Sequence, residues 1–137
     1  MKHITVVAAV IEKEGKILCV QRGKSQHAYI SEKWEFPGGK IEKGESEIET
    51  IQREILEELN MCIVVLDKLM VVEHEYPDFH LTMHTYRCST KDEPTLTEHQ
   101  AFRWLEKNEL STLDWAAADE PIVGRVIIGI RNIYFPQ

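Results

Sequence analysis

The spacing of apolar and polar positions changes period several times along the chain, and each change marks an element. Ile4 to Ile11 and Lys16 to Gln21 are apolar and β-branched runs separated by Glu12-Lys13-Glu14-Gly15, and predict a hairpin. Gly23 to Lys33 is polar and irregular, a loop. Ser46 and Glu49 stand as a capping box opening a helix to about Leu59. Within it Ile48, Ile51, Ile55 and Leu59 recur at helical spacing, predicting one buried stripe. Met61 to about Tyr76 reads as strand, Pro77-Asp78 turns the chain, and Phe79 to Cys88 alternates. Phe79, Leu81 and Met83 then share one face, with His80, Thr82 and His84 on the other. After a loop through Thr97, Ala101 to Leu105 is a short strand. Asp119-Glu120-Pro121 opens a last helix with Ile122, Val126 and Ile130 facing inward. Several strands with two helices predict an α/β sandwich, a mixed sheet between helices, as one domain over residues 1–137.

The composition, 43% hydrophobic and 28% charged, is that of a globular protein. A formal net charge of -7 argues against a nucleic-acid polymer as partner, because gripping its phosphates needs a basic face. It also means that a polyphosphate would bind through a metal or placed Arg and Lys, not bulk attraction. Cys19, Cys62 and Cys88 have no close pair and fit buried thiols better than disulfides or a zinc knuckle. No signal peptide or membrane-length apolar run is visible, so a cytoplasmic protein with no membrane partner is expected. A monomer and a homodimer are equally compatible with the chain.

The chemistry concentrates between Trp34 and Met61. Gly38-Gly39 reads as a flexible turn ahead of the helix. Glu54, Glu57 and Glu58 then stand at i, i+3 and i+4 and project from one patch of helix surface. Like charges that close destabilise a helix unless a cation sits among them, and a hard divalent ion takes oxygen ligands. Each feature alone has a plain explanation: a Glu-rich face is commonly just solvated, and Arg53 can pair along the helix with Glu49 or Glu57.

Their joint order is far more specific. Gly39, five residues, Glu45, seven residues, then Arg53-Glu54-Ile55-x-Glu57-Glu58-x-Asn60-Met61 resembles the Nudix box, a hydrolase signature, at every defined position but one. Asn60 replaces the usual Gly at a helix end that wants a left-handed residue, a conformation Asn tolerates. The resemblance implies a Nudix-type α/β/α sandwich. It implies that Glu54, Glu57 and Glu58 hold Mg²⁺ or Mn²⁺ with the Gly39 carbonyl, that Arg53 orients those glutamates, and that Glu45 steadies the turn into the helix.

Val6 to Ile11, Gln21-Arg22, Trp34 to Glu42 and Ala118-Asp119-Glu120-Pro121 extend the resemblance to the MutT-type branch, which cleaves nucleoside triphosphates to monophosphate and pyrophosphate. It implies that Arg22 and Lys40 grip phosphates and that Glu98 serves as metal ligand or general base. The expected partner is a small-molecule nucleoside triphosphate. Alternatives are a nucleotide-sensing module that does not cleave, disfavoured because every box carboxylate is present, and a hydrolase of another nucleoside diphosphate derivative or an isoprenoid diphosphate.

Asp119 bears on the base. It reads as a helix N-cap, and an ionised Asp, which only accepts, suits an exocyclic amine such as that of cytosine or adenine. Kept protonated by burial, it could read oxidised guanine instead. Branch members acting on oxidised guanine often carry Asn at the matching position. Patterns like Glu98-His99-Gln100-Ala101 and Ala118-Asp119 occur in cytidine-nucleotide members. Trp34 and Phe36 flank Glu35 in an alternating pattern; one can stack on a base while the other packs inside, or both can pack in the core. His80 and His84, lacking a third His or Cys nearby in sequence, read as a half-exposed sheet face rather than a zinc site.

Overall fold

In a computed structural model, which describes residues 1–129, β1 (Lys2–Lys13) is the axis of the molecule. It turns tightly into β2 (Lys16–Gln21), with Glu12 opposite Ile17 and Lys13 opposite Lys16. Two short strands follow, β3 (Trp34–Glu35) and β4 (Gly38–Lys40), then helix α1 (Glu47–Leu59). The long hairpin of β5 (Ile63–Glu75) and β6 (Phe79–Thr90) folds back so that β6 lies parallel to β1, from Lys2 opposite Phe79 to Glu12 opposite Ser89. β7 (Ala101–Leu105) pairs with β2, and short 3-10 turns at Lys107–Thr112 and Ala117–Asp119 lead into helix α2 (Glu120–Ile128). The sheet order is β3-β2-β1-β6-β5, with β4 beside β1 and β7 beside β2.

One parallel pair among antiparallel ones makes the sheet mixed, and a helix covers each face. On one side Ile51, Ile55 and Leu59 of α1 pack against Val7, Ala9 and Ile11 of β1. On the other, Ile122, Val123 and Val126 of α2 close over Ala8, Val10 and Met83. Each fully buried aliphatic side chain contributes about 1.5–3 kcal/mol relative to exposure. No helix among the described residues is long and apolar enough to cross a membrane.

The expected hairpin, capped helix, β5–β6 pair and final helix stand where the periodicities put them. Four expectations are corrected. Gly38-Gly39 is not a turn but part of β4, with Ala8 opposite Gly38 and Val7 opposite Gly39. The bend before α1 is made by Gly44 in the left-handed region (φ 87°). Ile48 is 44% exposed, because the first turn of α1 is anchored instead by Thr50, whose buried hydroxyl lies 2.9 Å from both Glu45 Oε1 and the Ser46 carbonyl. Cys62 is exposed while Cys19 and Cys88 are buried, since its neighbour Met61 takes the core position. Asp119 precedes α2 but its side chain caps nothing there. Ile130 lies outside the described residues.

Gly38 is required by strand pairing. A Cβ there would stand 1.9 Å from the Val7 carbonyl oxygen, a backbone atom that moves only if β1 and β4 part. Gly38→Ala is therefore expected to cost about 3 kcal/mol or more, the upper range for overpacking. Urea denaturation measures it, and a loss below about 1 kcal/mol would contradict the close approach of the strands.

Candidate active site

The site is organised from the two ends of α1. At its start Ser46 and Glu49 form the reciprocal cap: Glu49 N–H donates to Ser46 Oγ (3.1 Å) and Ser46 N–H to Glu49 Oε1 (2.9 Å). At its end Asn60 adopts φ 54°, ψ 42°, the left-handed geometry that stops the helix. The loop before β7 satisfies the last carbonyls. Thr95 N–H donates to Leu59 O (2.8 Å), Thr97 N–H to Glu58 O (3.1 Å), and the Thr97 hydroxyl lies 3.1 Å from the carbonyls of both Glu57 and Glu58. That docking sets Glu98 close to Glu58.

Arg53 spreads its guanidinium among carboxylates. Nε and Nη2 meet the two oxygens of Glu45 at 2.5 and 3.0 Å, and Nη1 meets Glu54 Oε2 at 3.0 Å and Glu57 Oε1 at 3.1 Å. A planar fork with fixed donors suits this arrangement as a lysine would not. Glu45 also accepts from Glu42 N–H (3.1 Å) and Thr50, and the Arg53 hydrogen bonds, chiefly, hold its carboxyl down to about 2. Glu45 thus locks the bend and Arg53 together.

Opposite the helix, Gly39 of β4 lies against Glu54. A Cβ on Gly39 would come within 2.3 Å of the Glu54 carboxyl carbon, so the absent side chain is the space the carboxylate occupies. Glu58 sits deeper. Its Oε1 is buried without a hydrogen-bond partner. Burial, then hydrogen bonding with Glu54 and the charges of Glu54, Glu98 and Glu35, pushes its carboxyl well above the ordinary carboxylate range. A buried oxygen without a proton donor, among further carboxylates, suits a hard divalent cation. Glu54, Glu58 and Glu98 fit such an ion, with Gly39 against Glu54. Glu57, 59% exposed and held by Arg53, stands at the edge of this group and outside the cleft wall.

A cleft of about 390 Å³ opens beside these carboxylates. Arg22, Phe36, Gly39, Lys40, Glu58, Glu98 and Asp119 all line it, so most of the residues singled out in the sequence meet in one place. Arg53, Glu54 and Glu57 do not line it. At its far end Phe36 stacks on Trp115, ring centroids 4.7 Å apart, and the Phe36 N–H donates to Asp119 Oδ1 at 2.9 Å. Trp34 is buried, with the Arg103 guanidinium 5.7 Å over its ring. Asp119 is 4% exposed, and burial, then the charge of Glu35, raises its carboxyl well above the usual value. Its carboxyl lies in the cleft wall, where burial favours the protonated form.

The NUDIX domain family matches residues 6–125 of the chain. The chain belongs to the Nudix family. Among curated Nudix relatives, it is 35% identical over 136 residues to the CTP pyrophosphohydrolase of Escherichia coli K12, covering 90% of each chain. It is 29% identical over 127 residues to the 8-oxo-dGTP diphosphatase of the same organism, covering 92% of this chain and 98% of that one. The solution structure of MutT from methicillin-resistant Staphylococcus aureus 252 is 45% identical, with a TM-score of 0.72 and coverage of 93% and 98%. MutT from Methanosarcina mazei shares the fold, with a TM-score of 0.82 at 23% identity, covering 98% of this chain and 97% of that one. This protein is a Nudix hydrolase.

Three further cleft residues of the hydrolase were not singled out individually, although Glu35 and His99 lie inside stretches that carry the resemblance. Glu35 takes Arg22 Nη1 at 3.4 Å and His99 Nε2 at 2.9 Å, linking β2, β3 and the Glu98 loop. His99 is overshadowed by its neighbour Glu98. The Tyr76 hydroxyl accepts from Ala118 N–H at 3.1 Å and reaches the cleft from the end of β5. Only β-strand register across distant segments brings them together.

Asp119 makes stability depend on pH. Its folded value lies above the unfolded value of about 3.9, so folding is most favoured below that pH and weakens as pH rises toward the folded value. Asp119→Asn retains an acceptor for Phe36 N–H and never ionises. The variant is expected to gain stability over the parent steadily as pH rises above about 4. Chemical denaturation across pH measures the difference, and one independent of pH would show that Asp119 is not held neutral.

Proposed function

We propose that this Nudix hydrolase cleaves nucleoside triphosphates to monophosphate and pyrophosphate with Mg²⁺, Mn²⁺ serving as a substitute. The observation that carries the reading is a single cleft lined together by the carboxylates Glu58 and Glu98, the cations Arg22 and Lys40, and Phe36 beside Asp119. Glu54, Glu58, Glu98 and the Gly39 carbonyl would hold the metal, with Glu57 joining from its place on Arg53. When bound, the ion neutralises the polyphosphate and acidifies a water for attack on phosphorus. The chain itself binds and orients. Arg53 fixes Glu54 and Glu57, Arg22 and Lys40 would take phosphate oxygens, and Glu98 would serve as general base where it does not serve as metal ligand. With so little covalent work to do, placement and charge stabilisation dominate.

At the base end the neutral Asp119 carboxyl offers an O–H donor beside an acceptor oxygen. An edge presenting one acceptor next to one donor matches it. Oxidised guanine offers O6 beside the N7–H created by oxidation, and cytosine offers N3 beside its amine. The N7 and O6 edge of unmodified guanine, with two acceptors, does not match, although its N1–H and O6 edge and the amine edges of adenine do. The relatives named for 8-oxo-dGTP and for CTP support these two nucleotides, and a role in cleansing the nucleotide pool follows.

Turnover of 8-oxo-dGTP, dGTP, CTP, dCTP, 5-methyl-dCTP and dATP, with products resolved, tests the reading. Pyrophosphate is expected as product, with 8-oxo-dGTP or a cytosine nucleotide preferred; orthophosphate, or activity confined to a nucleoside diphosphate derivative, would contradict it. Glu57→Gln is expected to lower kcat by roughly 100-fold or more, the loss on removing a transition-state stabiliser, while the fold persists. Near-normal turnover at saturating Mg²⁺ would remove Glu57 from the machinery.

A further inference from the structure

Outside the cleft, sheet register assembles donors that lie far apart in sequence. His3 on β1 stands directly beside His80 on β6, with ring centroids 4.8 Å apart. Across the other edge of β6, Glu73 of β5 faces Thr82. Glu73 Oε1 receives His80 Nε2 at 2.8 Å and the Thr82 hydroxyl at 2.7 Å, and His3 Nε2 lies 2.8 Å from Thr82 Oγ1. A carboxylate only accepts, so His80 Nε2 and Thr82 both donate to it. The one Thr82 proton being used, His3 Nε2 donates to Thr82. One ligand atom from each of His3, Glu73 and His80 lies within 4.8 Å of the others.

We propose that His3, Glu73 and His80 form a surface site for one divalent transition-metal ion of the zinc class, separate from the carboxylate site of the cleft. Two imidazoles and a carboxylate suit Zn²⁺ or a similar borderline ion, whereas Mg²⁺ prefers oxygen ligands. Bond lengths of about 2.0–2.2 Å at a tetrahedral ion set donors about 3.3–3.6 Å apart, so the set closes by rotation of the exposed His3 and Glu73 and the half-buried His80 side chains. Glu73 is already ionised, its carboxyl held below the usual range chiefly by the hydrogen bond from His80. Glu75 Oε1 lies 3.8 Å from His80 Nδ1, placed to orient the ring through the nitrogen that does not bind the metal.

The site lies on the sheet face that α1 covers farther along. There Glu47 of α1 lies 3.5 Å from His84 Nδ1, and the Tyr86 hydroxyl donates to its Oε1. Ile4, Leu81 and Met83, which alternate with these histidines, line the nucleotide cleft on the opposite face. An ion at this site ties β1, β5 and β6 together without touching the substrate. Binding through Nε2 takes each imidazole in its Nδ1–H tautomer, and protons are released only from imidazoles that were protonated beforehand, so binding strengthens as pH rises through their titration.

The test is calorimetric titration of untagged protein, saturated with Mg²⁺, with Zn²⁺ in two buffers of different ionisation enthalpy, beside thermal melting with and without Zn²⁺. The full-length protein is expected to bind one more zinc equivalent than a His3→Gln/His80→Gln double variant, with proton release and a rise in Tm that the variant lacks. Each single variant is expected to bind at least about 10-fold more weakly, as losing even an outer-shell partner typically does. Melting without zinc within about 4 °C of the parent shows that the variants are folded. Equal zinc stoichiometry and affinity in the folded double variant would overturn the proposal. So would weakening by His3→Gln alone with His80→Gln unaffected.

Discussion

The structure depends on a local excess of negative charge that the protein only half neutralises. Arg53 reaches Glu45, Glu54 and Glu57 at once and so holds one side of the α1 surface together. On the other side Glu58 keeps a buried oxygen without a partner, near Glu54, Glu98 and Glu35. A folded chain tolerates such a group either by protonating it or by drawing in a cation. The supports around it follow from that need. Asn60 ends the helix so that the Thr95–Thr97 loop can dock, and Gly39 leaves room for the Glu54 carboxylate.

The same architecture explains why the Phe36–Asp119 wall of the cleft forms from a different part of the chain. Trp34 N–H donates to Asp114 O and Ala116 N–H to Trp34 O, both at 2.9 Å, fastening β3 to the segment that precedes α2. That fastening brings Asp119 to the backbone of Phe36 and the Trp115 ring onto the Phe36 ring. Strand β3 and β4 therefore connect the two ends: Phe36 lies between them, and Gly39 follows where the carboxylates begin. The short run from Trp34 to Lys40 sets the distance between the Phe36–Asp119 contact and the Gly39–Glu54 contact.

Sequence reasoning succeeded where local rules decide. The cap of α1, the alternation in β6 and the spacing from Gly39 to Met61 are short-range patterns, and each maps onto one element or one patch. It went astray where a long-range contact overrides a local propensity. Gly38-Gly39 has the composition of a turn, yet β1 recruits it as a strand because only glycine can lie so close to Val7. Asp119 has the position of an N-cap, yet the Phe36 N–H, 83 residues away, claims its oxygen. Glu35, His99 and Tyr76 carry no periodic or spacing signal for a role in the cleft. The register that sets His3 beside His80 joins residues from opposite ends of the pattern, where no motif could relate them.

The most direct measurement of the half-neutralised cluster is the titration of the Glu58 carboxyl carbon by ¹³C NMR, with and without Mg²⁺. Without the ion its midpoint should lie well above the ordinary carboxylate range, and Mg²⁺ should lower it by at least about two units, as a nearby opposite charge does. A midpoint that stays where it was when Mg²⁺ is added would contradict the account.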